Sequence, residues 1–300
     1  MLAFTWDVDP ILVHFPAAWG GLPVEGIRYY SLLYVGVFLG GYKLLDWQLR
    51  RAGGDPEDAH DFVLYGVAAV LVGARLGHVV FYEWERFLRD PVWLLEIHRG
   101  GLSSHGAALG LLLALYAYTR QRRQSFLEGC DRLAFSAALG AILVRFGNLF
   151  NSEIVGKPTL GTFGVRFPRY DGYLDPPLRH PTQIYEALLG LSVFGLLWFL
   201  DRALGRERRP RGLLASAFFG AYFCGRFLVE FWKEVPAHEM AWGLDTGQWL
   251  SIAPALAGLV GCYLSWRWHV TAQWNTALST ANVSGTRATR STRERNHRDI

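Results

Sequence analysis

Apolar and polar residues alternate on a long scale in this chain. Seven mostly apolar runs stand out, at roughly 27–46, 62–82, 104–119, 130–150, 182–200, 212–232 and 247–268. About 20 such residues are needed to cross a bilayer as a helix. The pattern predicts an all-α, polytopic integral membrane protein with about seven transmembrane helices. Residues 1–26 carry no Lys or Arg but hold Asp7, Asp9 and Glu25. That is the reverse of a basic signal-peptide start, so they are expected to form an outer-surface N-terminal segment. Residues 27–268 form the membrane domain. Two of its connections are long. In 83–103, the stretch Pro91–Ile97 reads as an amphipathic interfacial arm. In 151–181, prolines at 158, 168, 176, 177 and 181 rule out one helix. Phe163, Val165, Phe167, Tyr170 and Tyr173 in that connection point to an ordered head. The Ser-, Thr- and Arg-rich stretch 269–300 reads as a disordered basic cytoplasmic tail.

The loops set the orientation. The connections 47–61, 120–129 and 201–211, with the tail from 267, hold sixteen Lys and Arg, against eight in 1–26, 83–103, 151–181 and 233–246. The positive-inside rule then places the N-terminus outside and the C-terminus in the cytoplasm, with both long connections on the outer face. Composition agrees: 51% of residues are hydrophobic, 15% aromatic and only 19% charged, where a soluble domain carries about 25% charged. The Trp and Tyr surplus suits interfacial anchoring. The net charge of +4 comes mostly from the tail, so no nucleic-acid partner is expected. Cys130, Cys224 and Cys262 form no CxxC pair, which excludes a disulfide framework and argues against a cysteine zinc site. No metal or cofactor is expected.

Charges inside apolar runs carry the chemical signal, because one at the bilayer centre costs at least ~2.5–3.5 kcal/mol. Arg75, Arg145, Arg226, Glu186 and Glu230 are such residues. With the predicted orientation, the arginines fall in the outer halves of spans two, four and six. Tyr30, His105, Gln183, Tyr185 and Glu186 fall near the outer ends of spans one, three and five. One level in the outer leaflet thus collects polar groups from six helices, which suits a lipid-facing site and not a channel. Paired arginines bind phosphate and stay charged. There is no Walker loop, GxSxG elbow or HExxH. The nucleophile is therefore expected on a second substrate. His105 follows Ser103 and Ser104, either of which can cap the helix. The positive helix end favours neutral imidazole, which can accept a proton.

The segment Arg145-Phe-Gly-Asn-Leu-Phe-Asn-Ser-Glu-Ile-Val-Gly156 resembles the signature R-x-G-N-[F/L]-x-N-x-E-x-x-G of bacterial prolipoprotein diacylglyceryl transferases. Other matching segments follow in the same order. They are Tyr29-Tyr30, Gly73–Gly77, Gly100–Gly106, His180–Glu186, Gly225–Phe231 and Gly247–Ser251. The resemblance covers about residues 25–268. It implies transfer of the diacylglyceryl group of phosphatidylglycerol to the lipobox cysteine thiol of an exported prolipoprotein. A thioether forms and glycerol-1-phosphate leaves. It further implies a bacterial cell (inner) membrane location, with the active site facing the outer leaflet. The expected partners are phosphatidylglycerol, lipobox signal peptides and membrane lipids.

On that resemblance the catalytic set is His105, Arg145, Arg226 and Tyr30. Arg145 and Arg226 bind phosphate, His105 serves as base or head-group ligand, and Tyr30 gives a phenol contact. The substrate-binding set adds Asn148, Asn151, Glu153, Gly156, Arg75, Gln183, Tyr185, Glu186 and Glu230. Glu230 is expected to orient Arg226 at i,i+4, and Glu186 to pair with either Arg75 or Arg145. Ala107, Val144 and Phe135 depart from the family pattern. They leave room for a divergent, non-catalytic phospholipid-binding or scrambling paralogue. The plainer readings are that the Gly-xxx-Gly pairs serve helix packing, and that His180 is structural.

Overall fold

The computed structural model describes residues 3–16, 25–55, 57–96, 100–159, 161, 163–235 and 240–296, with side chains to Thr271. Arg99, Ile97 and the ends of the expected N-terminal segment and tail lie outside them.

The chain opens with short strands β1 (Ala3–Thr5), β2 (Ile11–His14) and β3 (Gly26–Arg28). Helices α1 (Tyr29–Arg51) and α2 (Glu57–Tyr82) follow, then the short α3 (Trp84–Arg89) and a 3₁₀ turn at Pro91–Leu95. Next come α4 (Ser104–Gln121) and α5 (Phe126–Phe150). The head connection holds β4 (Gly164–Arg166), α6 (Pro168–Asp171) and β5 (Leu178–Arg179). The chain ends with α7 (Thr182–Ala203), α8 (Leu213–Glu230), the hairpin β6 (Met240–Ala241) and β7 (Leu244–Asp245), and α9 (Thr246–Asn296).

Each predicted apolar run lies in a long helix. Five of these, α2, α5, α7, α8 and Thr246–Thr271 of α9, are long and apolar enough to cross a membrane. By the same measure α1 and α4 fall short. Lys43, Asp46, Arg50 and Arg51 dilute α1, and α4 has only 18 residues with a Ser-His-Gly start. The protein is an all-α membrane protein by this measure. Helix faces are apolar outward as well as inward: Leu64, Phe81, Leu113, Phe199 and Tyr263 are all more than half exposed. That is expected where the solvent is lipid. α9 is helical from Thr246 to Asn296. After Pro254 no proline interrupts it, and each added residue closes a further backbone bond.

The packing centre lies where α5, α7 and α8 meet. Phe135, Leu197 and Leu214 are fully buried there, and Phe135 packs edge-on against Phe194 and Trp198. Phe135, one of the departures from the family pattern, is thus a core residue. α2 packs on α4 through glycines, as the spacing predicts. A Cβ on Gly73 would lie 2.4 Å from the Gly106 carbonyl, and one on Gly106 only 2.2 Å from that of Gly73. Between this pair and α1, α5 and α8 runs an apolar crevice of about 420 Å³.

The head is ordered. β1 pairs parallel to β4, which pairs antiparallel to β5. Val165 and Phe167 are buried with Leu149 and Val155, while Phe163, Tyr170 and Tyr173 remain exposed. Arg179 anchors the head, bonding both Asp171 oxygens, the Gly156 carbonyl and Glu234.

Candidate active site

The charges set inside the apolar runs of α5, α7 and α8 converge at one level of the bundle. Glu186, with its side chain 0% exposed, lies at the centre. Its Oε2 is 2.7 Å from Arg145 Nε. Its Oε1 is 3.4 Å from Arg226 Nη1 and 3.1 Å from Lys233 Nζ. Glu230 completes the ring, 3.6 Å from Arg226 Nη2 and 2.6 Å from Lys233 Nζ. The open pairing of Glu186 is therefore resolved in favour of Arg145. Glu230 meets Arg226 at i,i+4 as expected, pressed against Gly247, where a Cβ would collide with its Oε1.

Lys233 is the residue that sequence reasoning missed, having been placed in an outer loop. The signal was available in its spacing. Arg226, Glu230 and Lys233 follow one another at i+4 and i+3, which keeps them on one helical face.

The direct ion pairs join three cations to two carboxylates. A ring with one net positive charge suits a singly charged anion. Glu186 has no accessible surface, but Arg226 and Arg145 keep 24% and 11% of theirs. The guanidiniums can thus touch a ligand while Glu186 fixes their orientation from behind.

A second layer runs from Arg145 into the signature segment. Arg145 Nη1 donates to Asn148 Oδ1 at 3.0 Å. Asn148 and Asn151 donate to Glu153 Oε1 at 2.7 and 3.4 Å, and Gln183 donates to the Glu153 carbonyl at 2.8 Å. Glu153 sits between Ser152 and Ile154, whose φ values of 52° and 55° are left-handed. Such backbone costs of order 1–3 kcal/mol per residue and is kept where surroundings enforce it. Here Thr182 holds the Ile154 carbonyl at 2.9 Å. Tyr30 reaches the same layer. Its ring lies over Gly147, where a Cβ would come within 2.3 Å, and its phenol interacts with Asn148 and Glu153.

Other expected site residues have different surroundings. Arg75 is buried, but apart from the ring. Its donors go to the carbonyls of Trp93, Leu94, Gly100 and Gly101 at 2.6–3.2 Å. Its guanidinium also stacks 4.2 Å from the Trp93 ring centroid. Through these bonds Arg75 ties down the arm leading to His105. Gly156 is a crossing point, where a Cβ would meet the His180 carbonyl at 2.4 Å. Tyr185 pairs its hydroxyl with His180 Nδ1 at 3.1 Å, and burial lowers the His180 pKa. His105 is exposed in the first turn of α4. Ser103, not Ser104, caps that helix, accepting from Gly106 N at 3.3 Å. No contact among the described residues links His105 to the Glu186 ring.

The family model for prolipoprotein diacylglyceryl transferase matches residues 19–264. A phosphatidylglycerol–prolipoprotein diacylglyceryl transferase from Tolumonas auensis is 38% identical over 262 residues, covering 87% of this chain and 96% of that protein. One of the same name from Idiomarina loihiensis is 35% identical, covering 84% and 91%. Another from Chloroherpeton thalassium is 38% identical, covering 85% and 91%. With the match running through every element that builds the Glu186 ring, the chain belongs to the prolipoprotein diacylglyceryl transferase family.

Proposed function

We propose that the Glu186-centred ring holds the phosphate of phosphatidylglycerol while its diacylglyceryl group passes to a prolipoprotein cysteine. The cysteine sulfur bonds to the glyceryl carbon, the bond from that carbon to the phosphate oxygen breaks, and glycerol-1-phosphate leaves. The thiol proton goes to a base. The phosphodiester enters with one negative charge, and the departing monoester develops a second. Fixed guanidiniums therefore bind the transition state more tightly than the ground state, the condition for catalysis. The observation that carries this reading is the buried carboxylate, which aligns Arg145 and Arg226 while leaving both partly accessible.

His105 takes the thiol proton. It is exposed in the first turn of α4, and an imidazole can accept a thiol proton. Asn148, Asn151, Glu153 and Tyr30 position the glycerol head group. Gln183 and Tyr185 position it indirectly, through the Glu153 backbone and His180. The apolar crevice supplies room for acyl chains. It reaches Gly140 on α5, five residues before Arg145 and so roughly 8 Å away along the helix.

The seven long helices all cross the bacterial inner membrane, with the N-terminus outside, the tail cytoplasmic and the site open to the outer leaflet. The Lys and Arg distribution supports this orientation. Residues 27–268 act as the catalytic domain.

The test is turnover by purified protein on phosphatidylglycerol and a lipobox peptide, followed by mass spectrometry. A diacylglyceryl mass gain on the cysteine, lost with Arg145→Ala, is expected. No gain alongside a working family enzyme would instead indicate a non-catalytic lipid-binding paralogue.

A further inference from the structure

The end of the bundle away from the Glu186 ring carries a cleft of about 350 Å³ lined by several arginines. It opens where α1 ends, α5 begins and the chain enters α8. Leu49 and Gly54 contribute to one wall, and Arg123, Ser125, Arg132 and Arg211 are among the residues that face it. A volume of this order suits a small ligand.

The charges in the cleft are unbalanced. Glu128 also lines it, but this carboxylate is shared between Arg132 at 3.3 Å and Arg209 at 2.8 Å. Arg123 and Arg211 form no side-chain hydrogen bond or ion pair with the described residues. The α5 N-terminus, capped by Ser125, adds its positive end to the same space. Arg123 sits just past α4 at φ 52°. Glycine is the usual residue at such a left-handed helix end, and arginine is disfavoured there. The strained position thus keeps a guanidinium at the cleft where glycine would fit better.

Arg132 precedes Arg145 by thirteen residues on α5, or roughly 20 Å of helix. The cleft is therefore separate from the ring, at the opposite end of the bundle.

We propose that this cleft is a second phosphate-binding site, taking the oxyanion of an anionic lipid head group or free phosphate. Arg123 and Arg211 make charge-assisted bonds to the phosphate oxygens, and Arg132 supports them while tethered to Glu128.

The probe is phosphatidylserine, an anionic lipid other than the transferred one, added to the full-length protein and counted by native mass spectrometry. Intact protein should retain one more phosphatidylserine than the double variant Arg123→Gly/Arg211→Gln, with phosphatidylcholine showing no difference. Charge-assisted bonds to phosphate are among the strong hydrogen bonds, so affinity for that lipid should fall about tenfold or more. Arg123→Gly removes the charge while relieving the backbone, so the single variant should melt no lower than the parent and still bind more weakly. Arg123→Lys/Arg211→Lys should keep most of the binding. Equal phosphatidylserine counts in parent and double variant would overturn the proposal. Inorganic phosphate distinguishes the two sources: displacement of that one lipid means the cleft takes free phosphate, and no displacement means it needs the lipid. Turnover on phosphatidylglycerol should be equal in parent and variants, which separates this site from the Glu186 ring.

Discussion

Two buried charge networks close the bundle, one at each end, and they differ in what they leave over. Around Arg209, Asp201 lies at 3.2 Å, Glu128 at 2.8 Å, Asp131 at 3.7 Å and Glu207 at 3.8 Å. Arg51 and Arg132 join the same acids, Arg51 bonding Asp201 at 2.6 Å and Glu207 at 2.7 Å. Asp131 also accepts from Gly212 N and Ala215 N, capping α8 from a neighbouring helix. Three arginines thus face four carboxylates, and the Arg209 side chain has no exposed surface. Around Glu186, three cations face two carboxylates, and Arg226 remains one-quarter exposed. A network whose carboxylates outnumber its cations around a fully buried arginine holds helices together and leaves no spare positive charge at its centre. One with a surplus cation and an accessible guanidinium is able to receive an anion.

Substitutions at the two centres should therefore fail in different ways, and Arg145 should show the largest effect on chemistry. Removing one preorganised charge donor costs about 10²–10³ in turnover, so Arg145→Ala should lose at least that in the mass-spectrometric transfer assay while staying folded. Arg145→Lys should recover little, because a point charge cannot bond Glu186, Asn148 and phosphate from one planar fork. Near-parental turnover in the lysine variant would break the comparison.

Arg209 should show the largest effect on stability. Arg209→Met leaves buried carboxylates without their partner, and breaking such a network costs about 3–5 kcal/mol. Unfolding in detergent should shift by that amount, while turnover of the folded fraction at low temperature should change little. If turnover falls with stability unchanged, the two ends do not divide their roles.

Much of this contrast can be read in the sequence, and the rest has physical reasons for being hidden. Arg145, Glu186, Arg226 and Glu230 stand out because charge inside an apolar run needs a partner. Helix ends fix their common level. Lys233 lies just beyond its apolar run and reads as a loop cation until its spacing from Glu230 is considered. Arg209 is hidden in a basic loop among five arginines between 201 and 211, where composition suggests solvent and the structure gives full burial. Arg75 reads as a site residue because backbone carbonyls, its actual partners, are acceptors that every residue supplies. The head strands, two or three residues long, leave no alternation to detect.

Arg75 sharpens the comparison with a smaller effect. It touches neither network, and its role is to hold the 84–103 arm from which α4 and His105 start. Arg75→Lys keeps the charge but cannot reach four carbonyls from one plane. Turnover should fall about tenfold, the loss expected from about 1.4 kcal/mol of positioning energy. Limited proteolysis should cut the arm faster in the variant. Lost turnover with an unchanged cleavage pattern would return Arg75 to the substrate site.

The smallest expected effect tests whether the head shares the fate of the ring beneath it. Burial holds the His180 pKa below its ordinary value near 6.5, so the folded head binds fewer protons than the unfolded chain across that interval. Stability should therefore be unaffected by this group above about pH 6.5 and should decline as pH falls through the interval toward the lowered value. In His180→Asn that part of the acid loss should disappear, giving a flatter melting-temperature profile below pH 6.5. The imidazole sits beside the Gly156 crossing that joins the head to the Trp232–Lys233 turn after α8. Charging it should loosen that seam before it disturbs the Arg209 end. Hydrogen exchange at Gly156 and Lys157 should then rise on acidification in the parent and not in the variant. Parallel rises at both ends of the bundle would mean that the molecule opens as one unit, and the two networks would not be independent.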